Sequence, residues 1–374
     1  MSESPFPARQ CALARELARL DLHALAVVPG ASLMYLTGLD FHLSERPTVA
    51  FFRQHGAPVF VIPELEEGKL GGFPMDICVC TYGEDPSIWP EAFREASRAG
   101  GLDGQRIGIE PGSMRVLELR MLRETMPESA YPDGHEALAA LRICKDAHEI
   151  EKMRSAVQVA EDAMRRLLST IAPGITEREA ASRLTARLLD TGCAPEIPFP
   201  PIVAFGPSSA NPHAAPGDRA LRSGELILCD WGANVEGYFS DMTRMFAYGD
   251  PGNDARHIVE VVARARQAAA QAAGPGVPVS EVDRAARAVI EKAGFGERFV
   301  HRTGHGVGLE IHEAPYIRDG NPMLLRPGMT FTIEPGIYLD GVAGARIEDI
   351  VAVTEDGVDT LTTLPRELVD ISAR

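Results

Sequence analysis

Between residues 8 and 20 apolar side chains recur three and four positions apart, and at 24–28 they run without interruption. The first pattern predicts a helix with one buried stripe and the second a strand. Segments 48–52, 58–62 and 106–109 read as further strands, the first two parted by the turn-forming Gln54-His55-Gly56. Strands alternating with helices predict an α/β unit over residues 1–140. The helical period returns after Asp146, where Glu149, Ile150, Met153 and Ala156 begin a stripe that continues to about residue 171 and stops at Pro173-Gly174. A second domain, 143–374, starts with the lead-in to this helix.

That second domain repeats itself. Residues 173–177, Pro-Gly-Ile-Thr-Glu, open one helix with Thr176 as its cap. Residues 275–281, Pro-Gly-Val-Pro-Val-Ser-Glu, open another with Ser280 as its cap. The two helices end near Gly192 and Gly294. Further on, Arg222-Ser223-Gly224 leads through five mostly apolar residues to Asp230-Trp231-Gly232, and Arg326-Pro327-Gly328 leads likewise to Glu334-Pro335-Gly336. The two arginines are 104 residues apart, as are the two acids. Two helices and a strand pair, used twice, predict two pseudo-symmetric α+β halves that face each other.

Each half carries a pair of acids where a hairpin would oppose them. A fold between Val235 and Glu236 sets Asp230 opposite Asp241, and a fold at Gly341 sets Glu334 opposite Glu348. Directly opposed strand residues have their β-carbons ~5 Å apart, and like charges there destabilise a sheet. Cations between the acids resolve the conflict. Four carboxylates converging on one point suit two divalent ions.

Histidines add to this set. His301, His305 and His312 cluster in a glycine-rich stretch, and His305 lies between Gly304 and Gly306, where a backbone can approach a metal or substrate closely. One imidazole among oxygen ligands turns preference towards manganese, cobalt or zinc and away from calcium. His305 is the predicted ligand. His301, His312 and His213, the last in a loop rich in Gly, Pro and Ser, are predicted donors near the substrate.

Composition narrows the function further. The 37 basic and 53 acidic residues leave a net charge of -16, which repels phosphate backbones and anionic lipids. The six cysteines form no disulfide framework, no stretch is apolar enough to span a membrane, and the first ten residues do not read as a signal peptide. These features predict a cytoplasmic protein with reduced thiols. Gly-x-Ser-x-Gly and Gly-x-x-x-x-Gly-Lys are both absent.

In the strings Gly237-Tyr238-x-Ser240-Asp241-x-Thr243-Arg244, His301-Arg-Thr-Gly-His305-Gly-Val-Gly-Leu309-Glu-x-His312, Thr332-Ile-Glu334-Pro-Gly-Ile-Tyr338 and Arg346-Ile-Glu348-Asp, the chain resembles the pita-bread metallopeptidases, and among them the Xaa-Pro peptidases. The resemblance covers residue 143 to the C-terminus, and residues 1–140 resemble the creatinase-type N-terminal domain of that group. It implies two divalent ions, manganese foremost. Asp241 and Glu348 would bridge them, Asp230 would bind one, and His305 with Glu334 the other. It further implies that Glu334 acts as general base to a water between the ions, that His312 and His301 stabilise the oxyanion or leaving group, and that His213, Arg346 and Tyr238 shape the substrate pocket. A homodimer is implied as well.

A non-catalytic pita-bread protein and a metal-free creatinase-like enzyme would lack the five ligands, and methionine aminopeptidase would lack the N-terminal domain. The remaining choice is between an Xaa-Pro dipeptidase and an Xaa-Pro aminopeptidase. A dipeptidase needs a cation for the substrate's carboxylate, and Arg46, in the loop 43–47, is the sequence's candidate. The reading favours the dipeptidase.

Overall fold

The computed structural model describes residues 4–71 and 73–372. It divides into two compact units, Met1–Arg142 and Ile143–Arg374.

The first unit runs α1 (Phe6–Arg19), β1 (Ala24–Val27), α2 (Ala31–Thr37), β2 (Val49–Arg53), β3 (Val59–Pro63), β4 (Cys78–Tyr82), α3 (Trp89–Gly100), β5 (Ile107–Ile109), α4 (Val116–Thr125) and α5 (His135–Arg142). Its five strands form one mixed sheet in the order β4-β3-β2-β1-β5, with β3–β4 and β1–β5 parallel. Four of these strands are those the apolar runs predict. The fifth, β4, holds Cys78 and Cys80. Helix α3 buries Trp89, Ala92, Phe93, Ala96 and Gly100, a stripe spaced three and four apart, against that sheet's core.

The second unit continues with α6 (Ala147–Leu168), α7 (Glu177–Asp190), β6 (Ile202–Phe205), β7 (Glu225–Trp231), β8 (Asn234–Val235), β9 (Tyr238–Phe239), β10 (Met242–Tyr248), α8 (Asn253–Ala272), α9 (Val279–Lys292), β11 (Gly304–Gly306), β12 (Glu313–Ile317), β13 (Thr330–Ile333), β14 (Gly336–Leu339), β15 (Ala343–Arg346), β16 (Asp349–Val353), β17 (Val358–Thr360) and β18 (Val369–Asp370). Asp146 caps α6 in a reciprocal box. Its carboxylate accepts from the Glu149 N–H (2.9 Å), and Glu149 accepts from the Asp146 N–H (3.0 Å). Thr176 and Glu179 do the same for α7. The expected Ser280 cap is not formed. Pro278 holds the cap position of α9, and Ser280 already lies within the helix. Proline at 278 fills the place that Thr176 has in the first half and brings the chain in at φ -61°.

The repeat is written in the main chain. Gly174 N–H donates to Leu221 O (2.9 Å) and Gly276 N–H to Leu325 O (2.8 Å). Leu221 N–H returns to Ile175 O, and Leu325 N–H to Val277 O. Each half builds more than a strand pair: one sheet is β18-β10-β7-β6 and the other β12-β11-β13-β16-β17. Leu228 and Met245 of the first sheet, Phe331 and Val351 of the second, and Val262 and Ile290 of α8 and α9 share one core. Each such side chain contributes on the order of 1.5–3 kcal/mol on burial.

Register places the acids. In the second half Ile333 pairs with Asp349 and Gly336 with Arg346, so the ladders on either side set Glu334 opposite Glu348, about Gly341. In the first half the predicted register is corrected. Asp230 pairs with Thr243, not Asp241, because the hairpin turns at Glu236-Gly237, both at positive φ (50° and 83°). Two consecutive residues at positive φ make the tight turn that suits strand twist. Asn234 does not belong to the turn. It pairs in β8, and its side-chain oxygen accepts from the Gly237 N–H (2.9 Å). Asp241 still shares a face with Asp230, one pair further along the diagonal.

Candidate functional site

The acids stand where strands begin or end. Asp230 is the penultimate residue of β7, Asp241 precedes β10, Glu334 follows β13 and Glu348 precedes β16. His305 is central in β11, where a β-carbon on Gly304 would come within 1.9 Å of Thr332 O, so only glycine fits this close approach.

These positions bring one ligand atom each of Asp241, His305 and Glu348 within 4.8 Å of one another. His305 Nε2 lies 3.6 Å from Asp241 Oδ2 and 3.2 Å from Glu334 Oε1. Thr332 couples two of the set: its hydroxyl accepts from the His305 N–H (3.1 Å) and donates to Glu334 Oε1 (3.2 Å). Asp230 is drawn in by Arg346, whose Nη2 donates to its Oδ2 (2.5 Å). The other oxygen of Asp230, Oδ1, is buried and has no hydrogen-bond partner among the described residues.

Thr243 received no role from the sequence, yet its hydroxyl donates to Glu348 Oε2 (2.7 Å) and accepts from Arg346 Nε (3.1 Å). Alternation puts it on the same strand face as Asp241, which is the signal that identifies it. On the opposite face the neighbouring pair carries separate charges. Arg244, with Arg266 and Arg366, surrounds Asp349, and Arg244 Nη1 also donates to Glu348 O (2.5 Å).

Burial and mutual repulsion oppose ionisation of the acids. Burial first, then the charges of Asp230 and Glu334, pushes the Asp241 carboxyl well above the ordinary range. Glu348 is raised by burial and then by Asp241, and Asp230 is raised by burial against the pull of Arg346. Glu334 is the exception. Burial would raise it, but the hydrogen bond and charge of His305, with His301 and Arg346, hold it down at about 2. An orphaned buried oxygen and an oxygen-rich set with one imidazole fit divalent cations. Metal displaces the protons that burial favours. Manganese titrated into the chelated protein near neutral pH will therefore release protons, and its apparent affinity will rise with pH. Calorimetry in buffers of different ionisation enthalpy reads this, and binding without proton release contradicts it.

The cluster forms the floor of a cavity of about 580 Å³, lined also by His213, His301, His312, Arg302 and Arg346, with an apolar wall of Phe199, Pro200, Ile202 and Ile311. His312 packs edge-on to His305 (ring centroids 4.2 Å), and burial, then the His305 and Arg302 charges, lowers it to about 4. Both nitrogens of His301 are engaged: Nδ1 with Arg302 O (2.7 Å) and Nε2 with the Tyr338 hydroxyl (2.9 Å). A carbonyl only accepts, so Nδ1 carries the proton and Nε2 accepts from Tyr338, which in turn accepts from Arg346 Nη1 (2.8 Å). In this arrangement His301 orients its neighbours and has no proton to give an oxyanion. Tyr238, expected at the substrate, is corrected. Its hydroxyl donates to Glu149 Oε1 (2.7 Å) and Lys152 lies over its ring, because it falls on the strand face opposite Asp241. Arg46 belongs to the first unit, where it pairs with Glu45 (2.6 Å) and Glu84 (2.8 Å).

Among known proteins, the model of metallopeptidase family M24 matches residues 151–355, and that of the creatinase/prolidase N-terminal domain matches residues 9–144. The chain is 37% identical over 369 residues to a probable dipeptidase, PepE, of Mycobacterium tuberculosis, covering 97% of this chain and 96% of that one. It is 37% identical over 337 residues to an Xaa-Pro dipeptidase of Lactobacillus delbrueckii subsp. lactis, covering 89% and 91%. Among solved structures, recombinant prolidase from Thermococcus sibiricus aligns with a TM-score of 0.91 at 32% identity, covering 99% of this chain and all of that one.

Proposed function

The chain belongs to metallopeptidase family M24, and from that premise we propose that it is an Xaa-Pro dipeptidase working with two divalent ions, manganese foremost, held by Asp230, Asp241, His305, Glu334 and Glu348. The observation that carries the reading is the convergence of Asp241, His305 and Glu348 at the base of one cavity, with a partnerless oxygen of Asp230 beside them. An Xaa-Pro aminopeptidase, cutting longer peptides, is the second reading.

Bound divalent ions supply Lewis-acid polarisation of the peptide carbonyl and an acidified water. The chain's own groups do the rest. Glu334, ionised at neutral pH, takes the proton at its carboxylate oxygen. His312, with neither ring nitrogen hydrogen-bonded among the described residues, is free to donate to the developing oxyanion or the leaving nitrogen. Arg346 and Thr243 hold Asp230 and Glu348 in place. His213, on the cavity rim, contacts the substrate. The wall of Phe199, Pro200, Ile202 and Ile311 gives a pyrrolidine ring an apolar seat. The protein acts as a homodimer in the cytoplasm, and among the described residues no helix is long and apolar enough to cross a membrane.

Turnover of Ala-Pro and of Ala-Pro-Ala by the manganese-loaded protein tests the proposal. Ala-Pro will be cleaved and the tripeptide left largely intact, and chelation will abolish the reaction. Rapid cleavage of the tripeptide transfers the assignment to the aminopeptidase.

A further inference from the structure

The cavity contains more positive charge than its ligand set employs. Arg346 is committed to Asp230, Thr243, Tyr338 and Pro212 O. Lys145, which does not line the cavity, is buried against Glu313. Arg302 differs from both. It lines the cavity and is only half-buried, and among the described residues its guanidinium has neither an ion pair nor a hydrogen bond. It rests over the face of Tyr316, with the guanidinium carbon 4.8 Å from the ring centroid.

That support is a mounting. A guanidinium resting over an aromatic face keeps its edge of N–H donors free, which is the edge that receives a carboxylate in a two-point contact. The main chain fixes the base of the side chain as well. Arg302 O accepts from His301 Nδ1, and Arg287, held by Asp283, donates to the His301 carbonyl (2.6 Å). Arg302 therefore extends from an anchored segment, one residue after His301 and three before His305, to line the cavity that the acids also line.

We propose that Arg302 determines specificity by receiving the C-terminal carboxylate of a dipeptide whose scissile carbonyl lies at the Asp241–His305–Glu348 cluster. The inference rests on the dipeptidase reading and names the group that enforces it. A dipeptide's carboxylate follows its scissile bond by one residue, ~3.5 Å along an extended chain. In a longer peptide the same place is taken by a neutral amide that cannot match the guanidinium's charge. The imidazoles of the cavity are weaker candidates, since an imidazole carries charge only when protonated and a guanidinium always does.

The test compares kcat/KM for Ala-Pro with that for Ala-Pro-amide, in wild type and in Arg302→Gln, each loaded with manganese. Losing a charge-assisted hydrogen bond to the carboxylate should reduce the dipeptide-to-amide ratio roughly 10- to 100-fold. Arg302→Lys, a point charge without the fork, should recover part of it. Inhibition by L-proline relative to L-prolinamide should follow the same order, and it reads binding without turnover. A ratio unchanged in Arg302→Gln, with wild type still preferring the dipeptide, overturns the assignment to Arg302 and leaves the dipeptidase reading standing. A wild type that shows no preference for the free carboxylate overturns both.

Discussion

Asp241→Asn will lose at least ~10³-fold in kcat/KM, well beyond the 10–100-fold cost of losing a group that only orients a ligand. The side chain keeps its shape and gives up its charge, so the loss reports on ligation and not on packing. Two further readouts distinguish this from a folding defect. At manganese 100-fold above its Kd, wild type gains about 2.7 kcal/mol of stability, whereas the variant will gain far less because its site is incomplete. Without metal the relation inverts. The Asp241 carboxyl is raised above its ordinary range by burial, then by Asp230 and Glu334. A carboxyl raised in the folded state contributes stability that is full below its unfolded pKa and is lost as pH rises through the folded one. The asparagine has no such dependence, so the metal-free variant will become progressively more stable than metal-free wild type as pH rises from the ordinary carboxylate range towards neutrality. Urea unfolding in chelator across that range measures the difference. A variant that keeps hydrolysis, or that parallels wild type at every pH, refutes the ligand assignment.

Arg346→Met will destabilise the metal-free protein by about 3–5 kcal/mol, the cost of removing one partner from a buried ion pair. The methionine fills much of the space, but Asp230 loses its counter-charge, and Thr243 and Tyr338 each lose a donor. Because Tyr338 orients His301, the effect extends to a second histidine. Metal will restore part of the stability, since a cation beside Asp230 replaces the missing positive charge. Chemical denaturation with and without manganese separates these contributions. A loss below ~1 kcal/mol in chelator would mean that Asp230 is held by something other than Arg346.

Much of the fold and of the site is legible in the sequence, and the rest is set by turn geometry and by contacts between residues distant along the chain. The second hairpin was legible because Gly341 is a strong turn signal and the ladders on both sides run about it. The first was misread by a single position of the turn. Asn234 looks like a turn residue, yet it spends its side chain on the Gly237 N–H, and Glu236 takes the positive φ that Asn or Asp more often takes. The error left Asp230 and Asp241 on one face because it moved the pairing by two residues, a whole side-chain period. The same alternation places Tyr238 away from the substrate, against Glu149 and Lys152. It is three residues from Asp241, an odd step, and so faces α6. What alternation cannot supply is the loop chemistry. Both nitrogens of His301 are committed by a tyrosine distant in sequence and by a carbonyl, and Arg302 acquires its platform from Tyr316 only when the chain folds back.

The five proposed ligand groups are divided between the two halves of the second unit. Asp230 and Asp241 alone would make only a fragment of that site, and His305, Glu334 and Glu348 would complete it from the other half. A chain that had made only its first half would therefore hold no complete site, and cutting of peptide bonds would require both halves to be present and folded.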